Sequence, residues 1–416
     1  MNHMIKQIAD PGLADEGEAA YRWAYNNMPT LSKTIEKSIS RKPLTGRKIG
    51  VCLHVTKETS VLIMGLKSWG ADVYLCAANP LSTQDHIAAY LESQGVKVFA
   101  WRGETPEEYN ECILNILKVG PSILMDDGSD AHVAAHDNSQ HSATIIGGTE
   151  ETTTGVIRIR ALEEAGNIKY PVIAVNNALT KFLFDNRYGT GQSTFDGILR
   201  ATSLLIAGKR VVVCGYGWVG KGIAQRARGL GALVTVTEVD PFKGLEARFD
   251  GFEAMPIADA ASRGDIFITA TGMKGVIRKE HISAMKSGAI LANAGHFDVE
   301  IDVTALENIM VRKSTVRSNL ELYELPNKNL YLVGSGRIAN LVAAEGHPPE
   351  VMSLSFSNQI LSALYVAENE GKLEKRVHDV PKEIDQQVAV TALEAQGIRI
   401  DSPTQAQLDY AKSWQL

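Results

Sequence analysis

The chain has 416 residues, 44% hydrophobic and 22% charged, which allows two or three domains with sizeable cores. Its net charge of −6, without a basic run, argues against a nucleic-acid or anionic-membrane partner, and no apolar run approaches the roughly 18 residues of a membrane span. No secretory h-region opens the chain, and Cys52, Cys76, Cys112 and Cys214 are too widely spaced for a disulfide framework or a metal knuckle, so no metal is expected and the compartment reads as the cytoplasm.

Residues 12–40 read as amphipathic helix, and strands and helices then alternate. Lys48–Leu53 is predicted as a strand and Glu58–Trp69 as a helix ended by Gly70. Asp72–Cys76 is the next strand, and residues 83–94 the next helix. Val96–Trp101 (strand), 105–118 (helix) and Ser122–Asp126 (strand) continue the pattern. Such alternation implies a parallel, doubly wound sheet, in which ligands bind beyond the carboxyl ends of the strands. Three polar clusters fall at those ends: His54/Thr56/Glu58, Asn79 to His86, and Asp126 to Asp130. They are expected to converge on one edge. A polar connector, Gly147–Gly155, comes next. A strand, Tyr170–Val175, then leads to Asn176, Asn177, Lys181, Asp185 and Asn186. Residues 194–206 are predicted as a long helix entering a second domain.

That second series runs from 209 to about 340. Lys209–Cys214 is a β-branched run ending in Gly215-x-Gly217-x-x-Gly220, and a helix-compatible segment follows. This is a dinucleotide-binding pattern: Gly215 for the tight turn, Gly217 for close approach to the pyrophosphate, Gly220 for helix–strand packing. The strand Leu233–Thr237 then reaches Glu238, an acid placed to accept from the adenosine ribose and to repel a 2′-phosphate, which points to NAD rather than NADP. A return crossing is expected near Gly346–Pro349. Residues 350–370 rejoin the first domain, and 371–416 form a charged segment packing at a domain or subunit surface.

Several segments resemble one family in collinear order. They include Cys52-Leu-His54-Val-Thr56-Lys-Glu58-Thr, Asn79-Pro-Leu-Ser82-Thr-Gln84, Asp126-Asp127-Gly and Glu150-Glu151-Thr152-Thr153-Thr154-Gly155. Asn176 to Asn186, Gly215-Tyr-Gly217-Trp-Val-Gly220-Lys-Gly, Asn293-Ala-Gly-His296-Phe-Asp-Val-Glu and Gly346-His347-Pro-Pro-Glu-Val-Met352 complete the set. The chain is similar to the S-adenosyl-L-homocysteine hydrolase family from residue 45 to about 390, and the Glu-Glu-Thr-Thr-Thr-Gly and Gly-His-Phe-Asp-Val-Glu strings are its most specific features. Taken singly, each residue has a plainer reading: His54 a satisfied strand-end histidine, Lys181 a solvated lysine, Asp126-Asp127-Gly-Ser a turn. Collinearity of eight motifs reverses that balance.

The resemblance implies an α/β fold of two doubly wound parallel-sheet domains. A Rossmann-type NAD-binding domain (191–344) would be inserted into a split substrate-binding domain (1–190 and 345–380), with a subunit-contact segment at 381–416. It implies reversible hydrolysis of S-adenosyl-L-homocysteine to adenosine and L-homocysteine in the methyl cycle, with one tightly bound NAD per subunit of a homotetramer. Oxidising the 3′-hydroxyl makes the C4′ proton acidic, thiolate leaves by β-elimination, water adds, and the stored hydride returns. Lys181 resembles the base on the 3′-hydroxyl, which requires a pKa well below about 10.4. Asp185 and Asn186 would orient it. His54 and Asp127 match the pair handling the C4′ proton and the water or leaving thiol, and His296 a residue near the 3′-oxygen. Glu151, Thr152 and Asn186 match ribose contacts, and Thr56, Glu58, His347 and Met352 the adenine pocket. Thr152, Thr153, Thr154, Gly215, Gly217, Val219, Gly220, Glu238, Lys243, Thr271, Asn293 and Asn340 fall on the cofactor side.

The chain also departs from the family pattern. Trp218 replaces a frequent Asp, Asn177 a frequent Asp near Lys181, Thr190 a frequent Cys, and Lys243 an Asn, which would bring a positive charge near Glu238. The end at Ser413-Trp-Gln-Leu416 resembles short forms without a Lys-and-Tyr-bearing tail, which implies weaker inter-subunit NAD contacts. Alternatives are S-inosyl-L-homocysteine hydrolysis, an ordinary NAD-dependent dehydrogenase, and an inert NAD-binding relative. Glu58 favours a 6-aminopurine, and retention of Lys181, His54, Asp127 and His296 disfavours inertness.

Overall fold

The structure is a computed structural model describing residues 7–414. Six strands of the first half are β1 (Lys48–Cys52), β2 (Asp72–Cys76), β3 (Lys97–Phe99), β4 (Ile123–Asp126), β5 (Gly147–Glu150) and β6 (Val172–Ala174). The second half contributes β7 (Arg210–Cys214), β8 (Leu233–Thr237), β9 (Glu253–Ala254), β10 (Ile266–Thr269), β11 (Ala289–Asn293), β12 (Arg312–Arg317), β13 (Leu320–Leu325) and β14 (Lys328–Val333). A last strand, β15 (Val377–Asp379), follows the return crossing. The first sheet has the order β15-β6-β5-β4-β1-β2-β3 with every pair parallel. The second has the order β12-β13-β14-β11-β10-β7-β8-β9. The first sheet runs 3-2-1-4-5-6 and the second shares 3-2-1-4-5 before β14 takes the next place, the doubly wound order with a switch point beside the first strand of each half.

The predicted α/β class of two doubly wound sheets describes both halves, with one addition. Strands β12, β13 and β14 pair antiparallel and extend the edge of the second sheet. The central strands β4, β5, β10 and β11 are buried at every position, as parallel strands covered on both faces must be. Apolar clusters fill both faces of each sheet.

Some expected elements differ. Residues 12–40 form two helices, Ala14–Asn26 and Pro29–Glu36, because Pro29 is tolerated only at a helix start. The supposed connector 147–155 contains β5 and the start of the helix Thr153–Glu164. Gly147 and Gly148 hide the strand from propensity, yet both are required. A Cβ on Gly148 would lie 2.4 Å from His132, and one on Gly147 2.7 Å from Val366. The helix expected at 194–206 is Thr190–Thr202, closed by Ser203 in the left-handed region at φ 55°. The return helix is Pro349–Glu368. After it, 371–416 is more than surface: β15 pairs with β6, and the helix Lys382–Ala395 buries Val388, Thr391 and Ala392 against the chain's own helices. Later in that segment, the helix Gln405–Lys412 buries none of its residues.

Candidate active site

The carboxyl ends of β1, β4, β5 and β6 present their side chains towards the loops that follow β11 and β14. His54 follows β1, and Thr56 caps the next helix, Lys57–Ser68, by accepting from the Thr59 amide at 3.4 Å. His54 Nδ1 meets the Ser82 hydroxyl at 2.7 Å, and its Nε2 lies 3.7 Å from Asp127 Oδ2. His296, from the other half, places Nδ1 3.5 Å from Asp127 Oδ1. The three side chains lie close enough for their ligand atoms to fall within 4.8 Å of one another. Burial pushes His54 down to about 3 and His296 down to about 4, so both are neutral imidazoles. Burial pushes Asp127 up to about 7, against the pull of the Lys181 ammonium. Gly128 makes this packing possible: at φ 99°, a Cβ there would sit 2.3 Å from His296 Nε2.

Lys181 ends the short helix Leu179–Phe182, and a widened helical turn, Asp185–Gly189, follows. Lys181 Nζ donates to Asn186 Oδ1 at 2.8 Å and to Asn176 Oδ1 at 3.4 Å, with Asp185 at 3.2 Å and Glu151 at 3.9 Å. Burial pulls its pKa down, but Asp185, Glu151 and Asp127 outweigh that, and the net shift is upward. The sequence expectation of a lowered lysine is therefore corrected: with three carboxylates around it, the resting group is an ammonium. Asp185 remains below the usual carboxylate range: burial pushes it up, but Lys181 and His347 overcome that. Its Oδ2 lies 3.3 Å from His347 Nδ1, whose Nε2 meets Thr190 Oγ1 at 3.1 Å and Asn340 Nδ2 at 3.2 Å. Glu151 is pushed up to about 7 by burial, and accepts from Ser355 and, at 2.5 Å, from Gln359.

Of the other expected substrate contacts, Glu58 is 1% exposed, and its Oε1 has no hydrogen-bond donor in line. Met352 is half-buried on the return helix, packed against the first core. Thr152 caps its helix and donates to Glu150 at 2.9 Å, so its hydroxyl is already engaged. Thr153 bonds Asn176 at 3.2 Å and Asn186 at 3.4 Å, which ties the threonine turn to the lysine cluster.

On the cofactor side, Gly215 adopts φ 102°, and a Cβ on Gly220 would lie 1.9 Å from the Gly215 carbonyl. A Cβ on Gly217 would meet nothing within 4 Å, so that face of the turn is open, at the start of the helix Trp218–Gly229. Val219 packs half-buried on the second core. Glu238 accepts from the Tyr216 and Val239 amides at 2.7 Å each and from Asp240 at 3.1 Å. Asn340 leaves its buried Oδ1 without a partner. An open glycine turn, free helix amides and an orphaned amide oxygen fit a dinucleotide. Thr154 Oγ1 would lie 3.7 Å from a Cβ on Gly272, so it faces the second half.

Other expected contacts are also engaged within the protein. Asn293 is bonded at both ends: Oδ1 accepts from the Gly295 amide at 2.8 Å, and Nδ2 donates to the Phe297 carbonyl at 2.9 Å. It shapes the loop that carries His296. Thr271 gives its hydroxyl to Glu300 at 2.7 Å. Lys243 pairs with Asp240 at 3.8 Å rather than with Glu238. Asn177 donates to Asp379 at 2.8 Å and accepts from Asn176 Nδ2 at 3.4 Å, so it meets the lysine cluster only through Asn176. Sequence reasoning missed Ser355, Gln359 and Asn358, a buried polar face on the helix Pro349–Glu368 that holds Glu151 and Thr180. It also missed Glu300, whose carboxylate accepts from the Thr271 and Gly272 amides at 2.9 Å each. The buried polar residues on a helix otherwise rich in apolar ones, Ser353, Ser355, Ser357, Asn358, Gln359 and Ser362, were the available signal.

Residues 186–346 match the family model described as S-adenosyl-L-homocysteine hydrolase, NAD binding domain, and residues 5–146 match that of S-adenosyl-L-homocysteine hydrolase. The chain is 57% identical over 412 residues to the adenosylhomocysteinase of Sulfurisphaera tokodaii, covering 99% of each. It is 53% identical to that of Aquifex aeolicus, covering 98% of this chain and 99% of the relative. It is also 51% identical to the S-inosyl-L-homocysteine hydrolase of Methanocaldococcus jannaschii, covering 98% of this chain and 99% of the relative.

Proposed function

The chain belongs to the S-adenosyl-L-homocysteine hydrolase family, and on that premise we propose that it hydrolyses S-adenosyl-L-homocysteine to adenosine and L-homocysteine with these residues. The observation that carries the reading is the buried Lys181–Asp185–Asn186 cluster beside the His54–Asp127–His296 group, drawn from both halves of the chain.

NAD, the cofactor, supplies reversible hydride removal at C3′. Gly215, Gly217, Gly220 and Glu238 would hold its pyrophosphate and adenosine ribose, and the free Asn340 Oδ1 its amide end. Lys181 takes the 3′-hydroxyl proton once its own has gone to Glu151, the neighbour whose carboxyl, at about 7, is best matched to receive it. Asn186 and Asn176 fix the lysine's direction. His54, neutral and therefore an acceptor, takes the C4′ proton, and Asp127 delivers a proton to the departing sulfur. The buried Glu58 carboxylate accepts from the purine 6-amino group, which favours the adenosyl over the inosyl substrate.

The substrate-binding part is 1–190 with 345–380, the NAD-binding part is 191–344, and 381–416 is a C-terminal segment. Among the described residues no helix is long and apolar enough to cross a membrane. A cytoplasmic homotetramer, with the exposed Gln405–Lys412 helix at a subunit contact, completes the proposal. The test is thiol release from S-adenosyl-L-homocysteine. Equal release by dinucleotide-stripped protein, or net accumulation of reduced nicotinamide without thiol, would overturn the reading.

A further inference from the structure

One cation stands beside the purine-reading carboxylate. Lys57 begins the helix that carries Glu58, and its Nζ lies 3.2 Å from Glu58 Oε1 and 3.0 Å from Glu345 Oε2. Glu345, on the returning connector, also takes Arg200 Nη1 at 2.9 Å. Gln84 braces the same corner: its Oε1 accepts from the Lys57 amide at 3.1 Å, and its Nε2 donates to the Glu345 carbonyl at 3.3 Å. The Lys57 side chain is 13% exposed and Glu58 only 2%, and Lys57, Gln84, Leu341 and Glu345 line a cavity of about 320 Å³ between the two halves.

We propose, resting on the assignment of Glu58 to the purine 6-position, that Lys57 is a specificity-determining residue. Held by Glu345, its ammonium, 3.2 Å from Glu58 Oε1, counters the burial of that carboxylate and so selects a 6-aminopurine nucleoside over a 6-oxopurine one.

An ionised carboxylate accepts from an exocyclic amine and repels a carbonyl oxygen. A protonated one offers both a donor and an acceptor, and discriminates poorly. Burial is the larger influence and leaves Glu58 above its ordinary value, and Lys57 is the largest influence holding that rise down. Lys57 stays a cation because Glu58 and Glu345 outweigh its own burial. Glu345 is held ionised by Lys57 and Arg200. The chain Glu58–Lys57–Glu345–Arg200 therefore links base reading to a helix of the second half.

The experiment is the ratio of kcat/KM for S-adenosyl- over S-inosyl-L-homocysteine, measured on holoenzyme with NAD content and thermal midpoint as controls. Wild type favours the adenosyl substrate. Lys57→Met lowers the ratio about tenfold, and Lys57→Arg restores it to within about threefold. Glu345→Gln, which frees Lys57 without touching Glu58, lowers it in the same direction. A Lys57→Met enzyme that loses both activities equally, or keeps the wild-type ratio while Glu58→Gln lowers it, overturns the role of Lys57 and leaves Glu58 as the reader. An unchanged ratio in Glu58→Gln overturns the assignment of Glu58 itself.

Discussion

Asp127 Oδ1 faces His296 Nδ1 at 3.5 Å, a contact between the loop after β4 and the loop after β11. No hydrogen bond satisfies that carboxylate oxygen. Burial pushes the Asp127 carboxyl from 3.8 up to about 7. Between those values the folded protein binds more protons than the unfolded one, so stability falls as pH rises through the window. Glu151, also pushed up to about 7, adds the same sign. His54 and His296, pushed down from 6.5, act in the opposite sense below about pH 6.5, so the thermal midpoint of dinucleotide-free protein should drop between about pH 6.5 and about pH 8. Asp127→Asn should flatten that slope in part, because Glu151 remains. A slope unaltered by the substitution would refute the assignment.

Gly128→Ala should disable the same contact from the backbone side. The new methyl would meet His296 at 2.3 Å in a conformation of φ 99°. Strain of about 1 kcal/mol and a displaced imidazole are expected. Thiol release should fall at least tenfold while far-ultraviolet circular dichroism is preserved, a loss on the scale of a misplaced acid–base group.

Lys181→Ala should cut thiol release by more than about a hundredfold, the scale of a removed acid–base group. NAD content should persist, since Lys181 touches Asn176, Asn186, Asp185 and Glu151 but none of the Gly215–Gly220 turn. Stability should fall as well, because Asp185 and Glu151 lose their shared cation in the interior. Loss of bound NAD with normal turnover on re-addition would place the lysine outside the chemistry.

Glu238→Ala should loosen the dinucleotide. It removes the acceptor for the buried Tyr216 amide, 2.7 Å away, as well as the ribose contact. An unsatisfied buried amide costs about 1–3 kcal/mol. Gel filtration followed by measurement of protein-bound NAD should show faster loss than in wild type.

Native enzyme should resist thiol alkylation without loss of activity. All four cysteines are buried. Burial pushes Cys76 and Cys112 up and Cys214 up to about 12; Cys52 is raised first by its hydrogen bond with Cys76 and then by burial. Where a thiol is frequent in the family, Thr190 instead bonds His347 at 3.1 Å. Rapid inactivation of native protein by iodoacetamide would contradict this.

The glycine turn after β7 was legible because backbone geometry leaves no other residue at Gly215 and Gly220. The clusters at the strand ends were legible because parallel topology dictates where they go. β5 was not, since its opening glycines have low strand propensity and owe their places to His132 and Val366 across the sheet. The charge state of Lys181 was not legible either. It depends on Glu151 and Asp127, which come from other strands and meet the lysine only once the sheet is assembled. Asn177 and Asn293 look alike in a sequence. One is spent on Asp379 and the other on the His296 loop, and only three-dimensional neighbours tell them apart.

His347 has a mechanical meaning beyond the purine pocket. The chain crosses between its halves twice, going out at the Asp185–Thr190 turn and returning at Gly346–Pro349. His347 fastens these two passages together through Thr190 at 3.1 Å and Asp185 at 3.3 Å. Two tethers pinned at one point permit rocking about an axis through that pin and resist swivel and shear. A single imidazole thus ties the outgoing and the returning passage together beside Lys181 and Asp185.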